Sequence, residues 1–442
     1  MACIELLYGQ RPLPVTMPDN WLGEIATPRA VKSAPHVSAL IDTVLHNPTG
    51  TPPLPELVKP GQKITIIVDD YTRKTPVDLL LPPVLDQLLA AGVTRDDIKI
   101  VIALGTHRPM TTTEIRAKVG AEAVSQYQVI NNPSTSRRHL VYLGEASNGI
   151  PAWVNRTVAE ADVRIGLGMI TPHLETGFTG GAKIILPGVC GAVTVDAFHT
   201  ASAFIPKNHL GNVEAPLRRS LEQFVAERIP LQFVVNVITT PAGELYQCVA
   251  GDPVEAHRAG VAHARTVFGT PVQRRYPVVV ANCSPYDFDL WQSIKGIWAG
   301  DLLTEDDGTM IVVTAAPEGN SNYPLVPGYI GREPETLKRE IKAGQVMDGK
   351  QAATGVMIGH LKQRINLVLV SDGLARTDAD LMGLPFYDTV EAALEAEINR
   401  LPEARRPGAV AFLPQAGIVL PLVPRGFRLY AKKRHRQNVW KN

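Results

Sequence analysis

The stretch VRIGLGMITPHLETGFTGGAKIILPG, residues 163–188, decides how the chain is read. Its first eight residues, Val163 to Ile170, apolar but for Arg164, make a run of strand length that leads into a turn-forming segment, as expected of a buried strand. His173 then falls in the loop at that strand's carboxyl end, where open α/β sheets collect their ligands. Gly177, Gly180 and Gly181 permit positive φ and close approach of the backbone to a ligand. Lys183 runs directly into Ile184, Ile185 and Leu186, which places an amine at the edge of an apolar pocket. Glu175 and His199 belong to the same neighbourhood, the latter on a helix expected over 189–204 with Asp196 on its face. Ordinary packing has no need of this mixture.

Working outward, Lys63 to Val68 reads as a β-branched strand ending in Asp69-Asp70, followed by the loop Tyr71-Thr72-Arg73-Lys74. Thr75 fits an N-cap and Pro76 the first position of the next helix. Such a helix start attracts phosphate or carboxylate, and Arg73 adds a bidentate fork, although Asp70 and Arg73 pairing with each other is the plainer alternative. Ile98 to Leu104 repeats the design, with His107 in its terminal loop and a capping box of Thr111 and Glu114. A lone loop histidine is more often structural, but three strand-terminal loops carrying Asp70/Arg73, His107 and His173 converge on one crevice. Two histidines on separate loops can face a substrate from opposite sides, one as base and one as acid. Leu231 to Thr239 is a further strand, and His257 and His263 on the helix 254–268 are expected to be solvated or half-buried, without a role.

A chain of 442 residues exceeds what one core usually holds. The Gly, Pro and charge-rich segment Gly269 to Tyr276 marks a boundary, giving an N-terminal domain over 1–270 and a C-terminal α/β domain over 271–442. Strands at 278–281, 310–315, 366–371 and 409–413, with a helix at 389–400, build the second part, and residues 3–17 suit a hairpin or an edge element. On the helix after residue 289, Gln292, Ser293 and Lys295 can clamp a carboxylate, or can be an ordinary exposed helix beside a core Trp291. The fold expected is two α/β domains with the site in the cleft between them.

The 44 Lys and Arg against 43 Asp and Glu leave no chain-wide attraction to nucleic acid or anionic membrane, which directs attention to a small-molecule partner. The basic run 432–436 reads as a solvated terminus. Four dispersed cysteines make neither a disulfide framework nor a thiolate zinc site, and neither a signal peptide nor a membrane-length apolar run is seen, so a cytoplasmic protein is expected. No dinucleotide G-x-G-x-x-G follows an early strand.

Five separated motifs, in order, resemble the nickel-dependent lactate racemase family, whose members racemise or epimerise 2-hydroxy acids. They are Asp70-x-Thr72-Arg73, Gly105-Thr106-His107-Arg108, Pro172-His173 through Lys183 to Pro187-Gly188, His199, and Gln292-Ser293-x-Lys295. The resemblance implies a nickel-pincer nucleotide bound through Asp70, Tyr71, Thr72 and Arg73, attached covalently to Lys183 and ligated to nickel by His199. It makes His107 and His173 the acid/base pair, one for each enantiomer, and places Arg73, Gln292, Ser293 and Lys295 on the substrate. It also implies maturation proteins that build the cofactor. Trp291 stands where some lactate-active members carry tyrosine, which leaves the identity of the 2-hydroxy acid open. A pincer-dependent alcohol dehydrogenase, a hydrolase with a metal on Asp70, His107, His173 and His199, and a non-catalytic binding protein are the competing readings.

Overall fold

The computed structural model describes residues 1–147, 149–205, 207–320 and 322–424; the basic run 432–436 lies outside them. It contains two six-stranded sheets. In the first, Val163–Met169 lies between Ile64–Asp69 and Phe233–Thr239. Ile98–Ala103 and Gln128–Asn131 continue beyond Ile64–Asp69, and Leu245–Gly251 closes the opposite edge as an antiparallel strand. All seven residues of Val163–Met169 are buried. Its side chains serve one core that includes Val68 and Leu81 on one face, while the other face, carrying Ile67 and Val234, packs on Ile184, Ile185 and Phe198.

The two glycines of the G-L-G run have a packing purpose. A Cβ on Gly166 would sit 3.0 Å from Ile184 Cγ2, so the bare strand lets the short helical turn Gly181–Ile184, with Lys183, lie directly on the sheet.

Topology places the crevice. From Ile64–Asp69 the chain builds outward through Ile98–Ala103 to Gln128–Asn131, then returns to Val163–Met169 and builds the other way. The loops after Asp69 and Met169 therefore part at a topological switch point, which opens a site at the strands' carboxyl ends.

The second sheet is parallel throughout, in the order Phe386–Tyr387, Asn366–Val370, Thr304–Val313, Tyr276–Asn282, Val410–Leu413, Leu22–Ile25. Its order reverses between Tyr276–Asn282 and Val410–Leu413, and the loop after Asn282 opens the helix Leu290–Leu303, capped by Asp289 accepting from Gln292 N at 2.6 Å. The expected hairpin forms, Ala2–Tyr8 pairing with Arg11–Met17. Leu6, Val15 and Met17 are buried with Val280, Ile311 and Phe412, so the start of the chain packs on the sheet made from its end. Burial at about 1.5–3 kcal/mol per such side chain is ample to hold it there. Among the described residues no helix is long and apolar enough to cross a membrane, and all four cysteines are free.

Candidate active site

Asp70 follows the end of the strand Ile64–Asp69 and is only 3% exposed. Its Oδ1 accepts from Thr72 N at 3.0 Å and Thr72 Oγ1 at 2.6 Å, and its Oδ2 from His107 Nδ1 at 2.5 Å. Burial alone would raise the carboxyl pKa, but the His107 hydrogen bond and charge, with Thr72, outweigh it and hold the value below the usual carboxylate range. The carboxylate fixes the proton on His107 Nδ1, leaving Nε2 with a lone pair. The alternative Asp70–Arg73 ion pair does not form, because His107 takes that position.

Thr75 is not the helix cap expected. Its hydroxyl hydrogen-bonds Asp69, which also pairs with Lys118 at 2.8 Å, and the helix Val77–Ala90 starts after Pro76 with no side-chain cap. Tyr71 turns away from the crevice: it is 40% exposed, carries the Arg108 guanidinium 4.3 Å over its ring, and does not border the cavity.

On the loop after Met169, His173 Nδ1 receives the backbone N–H groups of Glu175 and Thr176 at 3.3 and 3.4 Å. That makes Nδ1 an acceptor and puts the neutral ring's proton on Nε2, the reverse of His107. Burial first, then the charges of Lys183, Arg73, His199 and Lys295, push the His173 pKa well below the ordinary imidazole value, so the ring is neutral at pH 7. Thr176 Oγ1 lies 3.2 Å from the same nitrogen and gives its own proton to Phe178 O at 2.8 Å, so it can accept from Nδ1 if the tautomer changes.

Lys183 is half-buried, and desolvation, followed by the charge of Arg73, lowers its pKa to about 8. His199, on the helix Ala192–Ser202, hydrogen-bonds through Nδ1 to Glu175 Oε1 at 3.0 Å, which leaves the Nε2 lone pair to coordinate a metal or accept from a ligand. His257, expected to be solvated or half-buried and without a role, is instead wholly buried, and its Nε2 contacts Thr179 O at 2.9 Å beneath the glycine turn.

From the second sheet's side come Trp291, Gln292 and Lys295. Lys295 hydrogen-bonds Gln292 Oε1 and lies 3.9 Å over the Tyr286 ring; burial, then the charge of Arg73, depresses its pKa strongly. Ser293 does not join them. It is buried, donates to Asp289 O at 2.6 Å and touches Thr314 Oγ1 at 2.7 Å, because one step along a helix turns it from the cleft to the core.

These groups border one cavity of about 220 Å³, lined from the first half by Asp70, Arg73, His107, His173, Lys183 and His199. Its carboxylates Asp69, Asp70 and Glu175 are committed to Lys118, His107 and His199. Arg73, Lys183, Lys295 and Lys350 border it without a carboxylate partner among the described residues. The sequence reading missed Lys350, Thr354, Met357 and Tyr323, which reach the cavity from segments without a local signature.

Fold and site together define an α/β protein with histidines, lysines and an arginine gathered on one cavity between the carboxyl ends of two sheets. The family profile described as lactate racemase N-terminal domain matches residues 8–211. The lactate racemase of Thermoanaerobacterium thermosaccharolyticum is 31% identical over 329 residues, covering 72% of this chain and 76% of that protein. That of Lactiplantibacillus plantarum is 29% identical, covering 92% and 97%. The apoprotein structure of the former superposes with a TM-score of 0.83 over 95% of this chain and all of that one at 24% identity, and a Thermotoga maritima protein does so at 0.66 and 20%, covering 89% of this chain and all of that one. The chain belongs to the lactate racemase family and is an isomerase.

Proposed function

We propose that the protein racemises a lactate-like 2-hydroxy acid with a nickel-pincer nucleotide tethered to Lys183. The observation that carries this is a pair of histidines facing one cavity, His107 held through Nδ1 by a carboxylate and His173 through Nδ1 by backbone N–H groups, beside Arg73 and Lys295, which have no carboxylate partner among the described residues.

The residues fit the group. Lys183, with a pKa lowered to about 8, holds a substantial fraction of neutral amine for acylation near neutrality. His199 Nε2 is free because Nδ1 is engaged by buried Glu175, and imidazole suits nickel. Among the described residues no three His, Cys, Asp or Glu side chains are grouped to hold a metal, so His199 would supply one ligand and the cofactor's own donors would complete the set. The same fact weighs against the hydrolase reading. When bound, the group supplies a two-electron acceptor that takes the C2 hydride and returns it.

The chain's own residues do the rest. Arg73 and Lys295 hold the substrate carboxylate, with Gln292 orienting Lys295. His107 Nε2 takes the hydroxyl proton, and the imidazolium so formed is stabilised by Asp70. His173 Nε2–H donates to the substrate oxygen as it becomes a ketone. For the opposite enantiomer His173 serves as the base from its other tautomer, Nδ1–H donating to Thr176 Oγ1 while Nε2 takes the hydroxyl proton. In each direction the histidine opposite the base enters as imidazolium and returns its Nε2 proton to the product oxygen, and exchange with solvent resets the pair. Arg73 and Lys295, without a carboxylate partner among the described residues, also favour an acid over a simple alcohol as substrate.

Protein produced with a pincer-nucleotide maturation system should carry added mass on Lys183 and nickel, and should interconvert D- and L-lactate by chiral chromatography. His107→Gln and His173→Gln should keep the added mass and lose at least about a hundredfold in rate. An unmodified Lys183 from maturation-competent cells, or interconversion undiminished in either variant, would overturn the reading.

A further inference from the structure

Lys350 is the cavity cation that the proposed racemase leaves without a use. Acylation removes the charge of Lys183, and Arg73 and Lys295 meet the substrate carboxylate. Lys350 is the second residue of the helix Gly349–Lys362, whose cap Asp348 accepts from Gln351 N at 2.8 Å. The positive end of a helix dipole disfavours an ammonium at that position. Its Nζ makes no hydrogen bond or ion pair among the described residues; instead it lies 5.8 Å from the ring centroid of Trp291 and 5.0 Å from that of Tyr323. Those two rings stack at 4.3 Å and 20° and form one wall of the cavity. Asp196 feels the charge of Lys350 but does not pair with it.

The spacing is set by the helix Leu290–Leu303. Trp291 and Lys295 are four residues apart, hence one turn apart on one face, and Lys350 lies over Trp291. Both lysines border the same cavity, so it presents two separate cationic points. Two cationic points in one cavity suit a ligand with two carboxylates, each taking a charge-assisted contact. Lactate has nothing to offer the second cation.

We propose that Lys350 is a second anion-binding point of the active-site cavity, and that the preferred substrate is a 2-hydroxy acid carrying a second carboxylate. This rests on the racemase reading: the C1 carboxylate lies between Arg73 and Lys295, and the distal one on Lys350 against the Trp291–Tyr323 stack. A nucleotide phosphate is the other source of an anion for the same lysine, and the experiment separates the two.

Titration calorimetry on the full-length protein, unloaded and loaded, would use lactate, malate, 2-hydroxyglutarate and nicotinate mononucleotide as probes. A diacid should bind the wild type at least about tenfold more tightly than lactate, a difference of about 1.4 kcal/mol. Lys350→Gln should abolish that preference and Lys350→Arg restore it. In loaded protein the same contrast should appear as the ratio of kcat/KM for malate over lactate. Equal affinity of the wild type for mono- and diacids would overturn the proposal. So would a Lys350→Gln variant that loses nucleotide affinity while keeping the diacid preference, which would assign the lysine to the phosphate. Binding needs no hydride acceptor, so a diacid preference without racemisation would count against the racemase alone, and lactate racemisation without the preference would count against the diacid alone.

Discussion

Asp70→Asn tests the acid/base assignment at its support. The carboxylate accepts three hydrogen bonds, from Thr72 N at 3.0 Å, Thr72 Oγ1 at 2.6 Å and His107 Nδ1 at 2.5 Å. Asparagine keeps an oxygen for Thr72 but turns its amide N–H toward His107. Nδ1 must then accept, the proton moves to Nε2, and the ring no longer offers a lone pair to the hydroxyl. Restoring the working tautomer costs the charge-assisted hydrogen bond, about 1.5–3 kcal/mol. At about 1.36 kcal/mol per decade, kcat/KM should fall roughly 10- to 150-fold. The assay is chiral chromatography from each enantiomer, with Lys183 mass and the unfolding midpoint measured alongside so that a folding defect is not read as chemistry. Because a racemisation has an equilibrium constant of one, the loss must be equal in both directions, which checks the assay internally. A variant within twofold of wild type would refute the dependence of His107 on Asp70.

The same carboxylate has an acid signature. Its folded-state pKa lies below the ordinary value, so it contributes stability above about pH 4 that is lost as pH falls through the depressed value; acid unfolding should be shallower in Asp70→Asn. Lys183 carries the opposite sign: burial lowers its pKa to about 8, so unloaded protein should gain stability as pH rises from about 8 to about 10.4, a component absent from Lys183→Met in urea titrations. Gly177→Ala should destabilise by about 2–5 kcal/mol in urea unfolding, since φ is +74° and the new Cβ would fall 2.0 Å from Asn212 O; a loss under about 1 kcal/mol would mean that the loop yields. Ser293→Ala should cost about 1–2 kcal/mol of stability through its two buried hydrogen bonds yet change kcat/KM less than about threefold; a larger kinetic loss would return Ser293 to the substrate.

The crevice was legible because its residues sit beside long apolar runs. Asp70, His107 and His173 each follow a β-branched or apolar strand, and parallel strands bring such ends together whatever their separation in sequence. Local rules failed where a neighbour in space competed for the same atom. The N-cap preference of Thr75 lost to Asp69, and the motif that groups Ser293 with Gln292 and Lys295 ignores the turn of the helix that buries it. Tyr71 belongs to a binding loop by sequence but answers to Arg108 outside it. Lys350 and Tyr323 had no signal at all, because only tertiary packing brings them against Trp291.

The pairing of Leu22 with Val410 also governs how the chain comes together in time. Loop-closure entropy grows only with the logarithm of length, so this pairing costs the finished protein little. Folding rate is more sensitive to such distant contacts. At roughly 5–20 residues per second, synthesis leaves the first hairpin for on the order of 20–80 s without the sheet it will cover. During that interval Leu6, Val15 and Met17 are apolar side chains on a strand pair with no partner, a target for chaperones and a point of aggregation. A circular permutant that begins in the Pro-rich segment 48–60, with the old ends joined, would deliver the hairpin last, to a sheet already made.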